Sequence, residues 1–279
     1  MNKIALCFFG LNRSLSHTVA SIEANVIAPL KEAGLEVDVV GALMRPRGTF
    51  SNARSQESDL VPEANFEDLL QPRRHEYIDQ AAFDEHITPT ILRLGLDDYY
   101  QDQHASTRNI VRELFSVKRS FSLLEGTRPD AVIFLRPDLL YRDRLDIARY
   151  LPQLEGAARV MTPSWQKWGG LNDRFALCNY AGAEVYGRRY DAFWHAAPLF
   201  RKNLQAEALL LATLLLQGVA FDAYTSEMAV RVRADGRHQD EAEGECGSNE
   251  TMISMLQNYQ RGIAQQAGAA DNPPNTKGA

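Results

Sequence analysis

Residues 3–43 read KIALCFFGLNRSLSHTVASIEANVIAPLKEAGLEVDVVGAL, and this stretch decides the fold class. Its opening, KIALCFF, is an almost unbroken apolar run, as in a strand covered on both faces within a parallel sheet. Gly10 ends the run. Ser14 or Ser16 then caps a helix in which Val19, Ile22, Val26, Ile27 and Leu30 recur at helical spacing, and Gly34 supplies its C-cap. A second strand follows at once over residues 36–43. Strand, crossover helix and strand in immediate succession form a βαβ unit, which predicts an α/β fold: a Rossmann-type, mostly parallel sheet flanked by helices.

Working outward, residues 45–63 carry Pro, Gly, Ser, Asn and charges without periodicity and read as a long surface loop. A short strand is expected over 74–79 and helices over about 81–94 and 106–124, the latter with Ile110, Val111, Leu114, Val117, Phe121 and Leu124 facing inward. Residues 130–135 (DAVIFL) form a buried strand cut off by Arg136-Pro137-Asp138. Further strands are expected over 159–162, 174–179, 219–223 and 229–232, and helices over 181–194 and 204–217. Residues 235–249 read as an acidic loop. Residues 1–266 read as one elaborated domain, and 267–279, without large apolar residues, as a disordered tail.

The composition, 45% hydrophobic and 24% charged, is that of a globular chain. A net charge of -6 gives no general attraction for nucleic acid. The three cysteines, Cys7, Cys178 and Cys246, match neither a disulfide framework nor a zinc site and read as reduced thiols. The first apolar run is too short for a signal peptide and residues 206–216 fall short of the roughly 20 that a transmembrane segment needs, so a cytoplasmic setting is expected. No G-x-S-x-G elbow and no H-x-x-x-H pair occurs, so hydrolase and zinc-helix chemistries find no support.

Candidate site residues cluster where strands end, because open α/β sheets bind ligands outside the carboxyl ends of their strands. Arg136 could neutralise phosphate and Asp138 could ligate a divalent cation, Mn²⁺ or Mg²⁺; the other reading is a surface ion pair in a turn. If the site is open, Asp138→Asn should abolish turnover and leave the fold nearly intact. Gly10, Asn12 and Arg13 after the first strand offer a backbone turn and a helix start to an anion, although the pattern is neither a dinucleotide fingerprint nor a P-loop. In WQKWGGLNDRFAL, residues 165–177, Trp165 and Trp168 could stack on a sugar or pack the core, Gly170 and Asn172 of the same loop are further candidates for binding sugar or acceptor, and Asp173 could act as general base. Glu207 faces either a site or solvent, and Lys118 either a phosphate or solvent.

The order of these pieces resembles that of bacterial and phage glycosyltransferase-like proteins of GT-A type over residues 3–236. KIALCFFGLNRSLSHTVASIEANVIAPL is similar to their opening strand, Gly-x-x-Arg turn and helix; DAVIFLRPDLLY to their strand ending in Arg-Pro-Asp; GGLNDRFALCNYAGAEVY to their Asn-Asp-x-Phe-Ala region; and AEALLLATLLLQGVAFD to their Glu-containing helix. The resemblance implies a nucleotide-sugar donor and a carbohydrate or other hydroxyl acceptor, in polysaccharide or glycoconjugate synthesis. It places Gly10 and Arg13 by the nucleotide, Asp138 at a metal-diphosphate and Asp173 and Glu207 toward sugar or acceptor. An Asp-x-Asp pair is absent, Leu139 and Leu140 following Asp138. A nucleotidyltransferase and an inactive nucleotide- or sugar-binding protein are the alternatives.

Overall fold

Apolar strands that alternate with amphipathic helices leave the chain one economical solution, a sheet with a helical layer on each face. The computed structural model describes residues 1–52, 56–200, 204–221 and 224–239, and the tail expected over 267–279 lies outside them. Strands β1 (Lys3–Leu11), β2 (Glu36–Arg45), β5 (Arg74–Asp79), β6 (Ala131–Leu135), β8 (Val160–Pro163), β9 (Phe175–Asn179) and β10 (Tyr224–Thr225) form one sheet in the order β10-β8-β9-β6-β1-β2-β5. Pairing is parallel from β5 through β2 and β1 to β6, antiparallel on both sides of β9, and parallel again between β8 and β10. Only β9 therefore runs against the rest, and the mostly parallel sheet flanked by helices is as expected.

The first crossover spans the expected residues but is less regular than its spacing implies. Helix α1 (Leu15–Ile22) passes through a π-helical turn (Glu23–Ile27) into α2 (Ala28–Glu32). Pro29 has no N–H for the Asn25 carbonyl, which accepts from Leu145 N–H instead at 2.8 Å. Gly34, at φ +76°, ends the helix as expected.

On that face Leu15, Ile22 and Leu30 pack with Ile4, Leu6 and Phe8 of β1, and α3 (Phe66–Leu70) adds the buried Phe66. The opposite face carries α5 (Ala105–Ser122), α7 (Tyr180–Gly187) and α9 (Ala206–Leu216), whose Val117, Tyr186 and Leu210 meet Cys7, Phe9 and Phe134. Outside it α4 (Gln80–Arg93) and α8 (Arg189–Ala196) build a further apolar cluster around Phe83, Leu114 and Phe193.

Several expectations are corrected. The aperiodic stretch 45–63 holds a short antiparallel pair, β3 (Phe50–Asn52) and β4 (Glu57–Leu60). The helix expected over 181–194 breaks at Arg188, and Arg189 Nε donates at 3.1 Å to the Tyr186 carbonyl, an acceptor that a continuous helix would use itself. No strand covers 219–221: Ala220 bridges Arg159 singly, and the pairing with β8 falls to Tyr224 and Thr225. Residues after Arg-Pro-Asp, read only as a strand end, form β7 (Leu139–Tyr141), which joins β11 (Ala229–Val232) and β12 (His238–Gln239) in a second, antiparallel sheet. No described helix is long and apolar enough to cross a membrane.

Candidate functional site

The reversed direction of β9 gathers the site. Because Leu135 pairs with Phe175 and with Phe8, the start of β9 lies at the same edge as the ends of β6 and β1. Asn12 and Arg13, Arg136 and Asp138, and Asp173 and Arg174 therefore share the carboxyl edge of the parallel strands, where such sheets take ligands. Gly10 lies still within β1 at φ +92°, a conformation side chains resist, and its N–H donates to the Ser116 hydroxyl at 2.7 Å.

Asp138 is fully buried between two arginines. Arg13 donates to its Oδ2 from Nε at 2.9 Å and from Nη2 at 2.6 Å. Arg136 donates from Nε to Oδ1 and from Nη2 to Oδ2, both at 2.9 Å. Burial by itself would raise the pKa of this carboxyl, but the guanidiniums of Arg136 and Arg13 override that effect and hold it well below the usual carboxylate range. The network extends at both ends. Arg13 Nη1 reaches Glu57 at 2.9 Å, a carboxylate on β4 that also takes Arg233 at 3.4 Å. Arg136 Nη1 reaches Glu113 of α5 at 3.0 Å.

The divalent cation implied by the resemblance does not fit this arrangement. Both Asp138 oxygens already accept guanidinium N–H groups, and a divalent ion about 4 Å from each arginine would meet a repulsion of about 8 kcal/mol per arginine at an effective dielectric of 20. Among the described residues no three His, Cys, Asp or Glu side chains gather to hold a metal. Asp138 as a metal ligand is therefore corrected to Asp138 as a counter-ion, and no step below runs through a metal.

A second group of acids adjoins the first. Burial, followed by the charge of Asp173, pushes Glu113 up to about 8. Glu207, at the N-terminus of α9, is likewise pushed up to about 8, by burial first and Asp173 second. Arg189 adds a buried positive charge toward Glu113, and its Nη2 has no hydrogen-bond partner among the described residues.

This arrangement sets a pH dependence. Glu113 and Glu207 hold protons in the folded chain that they release on unfolding above their ordinary pKa of 4.5, so their contribution to stability falls as pH rises from about 4.5 to about 8. Asp138, whose pKa is depressed, acts oppositely, and its contribution disappears only below the ordinary carboxylate pKa of 3.8. The expected result is a melting temperature that is higher at pH 5.5 than at pH 8.5, with a smaller difference in Glu113→Gln, which keeps a donor but cannot titrate. Calorimetry across that window checks it, and a flat profile in the wild type would dismiss the raised pKa values of Glu113 and Glu207.

The other residues singled out in the sequence separate. Trp165 is buried, in the core, with Nε1 donating to the Glu227 carbonyl at 2.9 Å, so it is not an open stacking surface. Trp168 is 51% exposed and donates to Gln166 Oε1 at 2.7 Å. Both Gln166 and Trp168 have positive φ, +51° and +43°, which stores about 1–2 kcal/mol at each. Gly170 lies so close to α9 that a Cβ would come within 2.0 Å of the Glu207 carbonyl, which accepts from Leu171 N–H at 3.0 Å. Gly170 thus serves to seat Glu207 beside Asp173.

Asn172 is buried and staples the loop, donating to the Trp165 carbonyl and accepting from Arg174 N–H. Asn12 is buried with Nδ2 on Asn65, while its Oδ1 has no partner among the described residues. Lys118 does not join the cluster: it pairs with Asp191 of α8 at 2.6 Å and lies over the Tyr190 ring.

Sequence reasoning missed Glu57, Glu113, Arg174, Arg189 and Arg233. A signal existed for Glu113, since Glu113, Ser116 and Ser120 follow helical spacing and the two serines are buried, a polar stripe leading along α5 to the sheet edge. Glu57 and Arg233 had none, being joined only by folding.

No protein-family model matches the chain, and no curated protein does so significantly. Among solved structures it is similar to mouse xyloside xylosyltransferase 1 in its apo form, at 13% identity over 80% of this chain and 84% of that one, with a TM-score of 0.40. It is also similar to the galactosyltransferase LgtC in complex with donor and acceptor sugar analogs, at 17% identity over 79% and 73% with a TM-score of 0.38. A third is a putative glucose-1-phosphate thymidylyltransferase from Bacillus anthracis in complex with a sucrose, at 9% identity over 92% and 95% with a TM-score of 0.36. The likeness is one of fold alone.

Proposed function

We propose that this protein is a glycosyltransferase that moves a sugar from a nucleoside-diphosphate sugar to an acceptor hydroxyl. The observation that carries the reading is the juxtaposition at one sheet edge of a buried and a partly buried arginine, Arg13 and Arg136, with the carboxyl group of Asp173, which acts on the Glu113 that Arg136 contacts. Glycosyl transfer needs both chemistries within one substrate's length: fixed positive charge for the departing diphosphate and a base for the attacking hydroxyl. In this reading Arg13 and Arg136 receive the diphosphate, Asp173 takes the proton of the hydroxyl, and Glu113 and Glu207 set the charge around Asp173. Asn12 Oδ1, buried without a partner, is an acceptor for a ribose or base donor, and Trp168 offers an indole face to a sugar.

One observation favours a second reading, a nucleotide- or sugar-binding protein without turnover: both guanidiniums that would meet the diphosphate are already held by Asp138 in an ordered network. A single experiment separates the two. The full chain is screened by thermal shift against UDP-, GDP- and TDP-sugars, and the donor that stabilises it is then followed for release of nucleoside diphosphate with mixed sugar acceptors. Stabilisation with release is the expected result. Stabilisation without release establishes the binding protein, formation of nucleoside triphosphate and sugar 1-phosphate when pyrophosphate is added to the stabilising donor establishes a nucleotidyltransferase, and no stabilisation by any donor removes all three.

A further inference from the structure

We infer that the site takes the phosphates of a nucleoside diphosphate without a divalent cation, on the guanidiniums of Arg13 and Arg136, with Asp138 as the counter-ion that fixes them. The inference rests on the reading of this edge as a nucleotide-sugar site and adds what neutralises the phosphates there.

A carboxylate after a parallel strand is where a metal-bound diphosphate would sit, yet Asp138 is wholly buried and three guanidinium N–H groups converge on its Oδ2 alone. Oδ2 has no lone-pair position left, and a divalent ion at Oδ1, which accepts from Arg136 Nε, would lie against that guanidinium and be repelled by it. The arginines, in contrast, retain capacity. Each guanidinium has five N–H donors, and the contacts with Asp138, Glu57 and Glu113 engage Nε, Nη1 and Nη2 of each arginine once. Among the described residues two donors on each, one on Nη1 and one on Nη2, remain for phosphate oxygens.

Positive charge in the surroundings also exceeds what Asp138 and Glu57 supply. Arg233 shares Glu57 with Arg13, Arg231 acts on Asp138, and the buried Arg189 lies beyond Glu113 with Nη2 unpartnered. Glu113 and Glu207, both with raised pKa values, subtract less than full charges near neutral pH. Asp138 then does for the arginines what a second carboxylate does for a metal: it pre-orients the charge so that no reorganisation is needed when the anion arrives.

The test uses the full wild-type chain and needs no variant. Binding of UDP, GDP, TDP and inorganic pyrophosphate is measured by isothermal titration in EDTA and again in excess Mn²⁺, and uptake of Mn²⁺ alone is followed by electron paramagnetic resonance. The expected result is a nucleoside diphosphate whose affinity in EDTA is within about twofold of that in Mn²⁺, weakened by salt, with no stoichiometric uptake of Mn²⁺ by the free protein. Affinity that falls about tenfold or more in EDTA, or a stoichiometric Mn²⁺ site, overturns the inference and leaves glycosyl transfer standing. No binding of any probe in either buffer overturns both.

Discussion

Asp138→Asn lowers the melting temperature by about 6–20 °C and abolishes nucleotide binding, even though it replaces one side chain by another of nearly the same shape. The carboxylate is fully buried and accepts four N–H bonds from two guanidiniums. An asparagine in either orientation presents an N–H₂ group to some of those donors and removes the carboxylate the two arginines share, leaving, among the described residues, Arg13 only Glu57 and Arg136 only Glu113. Removing one partner of a buried ion pair costs about 3–5 kcal/mol, and for a chain of this size 1 kcal/mol is about 2–4 °C. This reverses the expectation from the sequence of a stable but inactive variant, which assumed an open site. Scanning calorimetry with nucleotide titration checks it; a variant melting within about 2 °C of wild type would mean that the arginines find other partners.

Asp173→Asn has the opposite profile. Its carboxyl group adjoins Glu113 and Glu207, both of which it helps to push up, so removing its charge relaxes two strained ionisations while weakening one attraction to Arg136. Its carbonyl still accepts from the Tyr186 hydroxyl at 3.1 Å, a contact the substitution leaves alone. The melting temperature therefore stays within about 2 °C of wild type, and the pH at which Glu113 and Glu207 titrate moves down. Release of nucleoside diphosphate in the presence of acceptor falls by about 10²–10⁴-fold, the usual contribution of a positioned base. Steady-state rates beside calorimetry at matched pH check both halves. Unimpaired release would move the base to Glu113 or Glu207.

The two variants separate roles that the chain's local pattern does not. An aspartate after a buried strand and an aspartate before one look equally eligible for chemistry in the sequence. In the fold the first is saturated by Arg13 and Arg136, whereas the second lies among carboxyl groups that compete for protons. The same holds for the two indoles, of which Trp165 is core and Trp168 half-exposed.

What the sequence by itself determined is the periodic part. The apolar runs of β1, β2 and β6 and the helical spacing of α1 and α5 are short-range properties, and they specify the parallel sheet, its flanking helices and the edge that ends in Arg13 and Arg136. Even the π-helical turn has its cause in a single residue, Pro29. The tertiary structure alone decided the direction of β9, which no periodicity encodes and which carries Asp173 to the edge that holds Asp138. It also decided which charges meet. Glu57 and Arg233 are 176 residues apart and Glu113 and Arg136 are 23 apart, each on an element whose own pattern is indifferent to the other. A buried charge is tolerable only beside its partner, and that partner is chosen by how strands and helices pack.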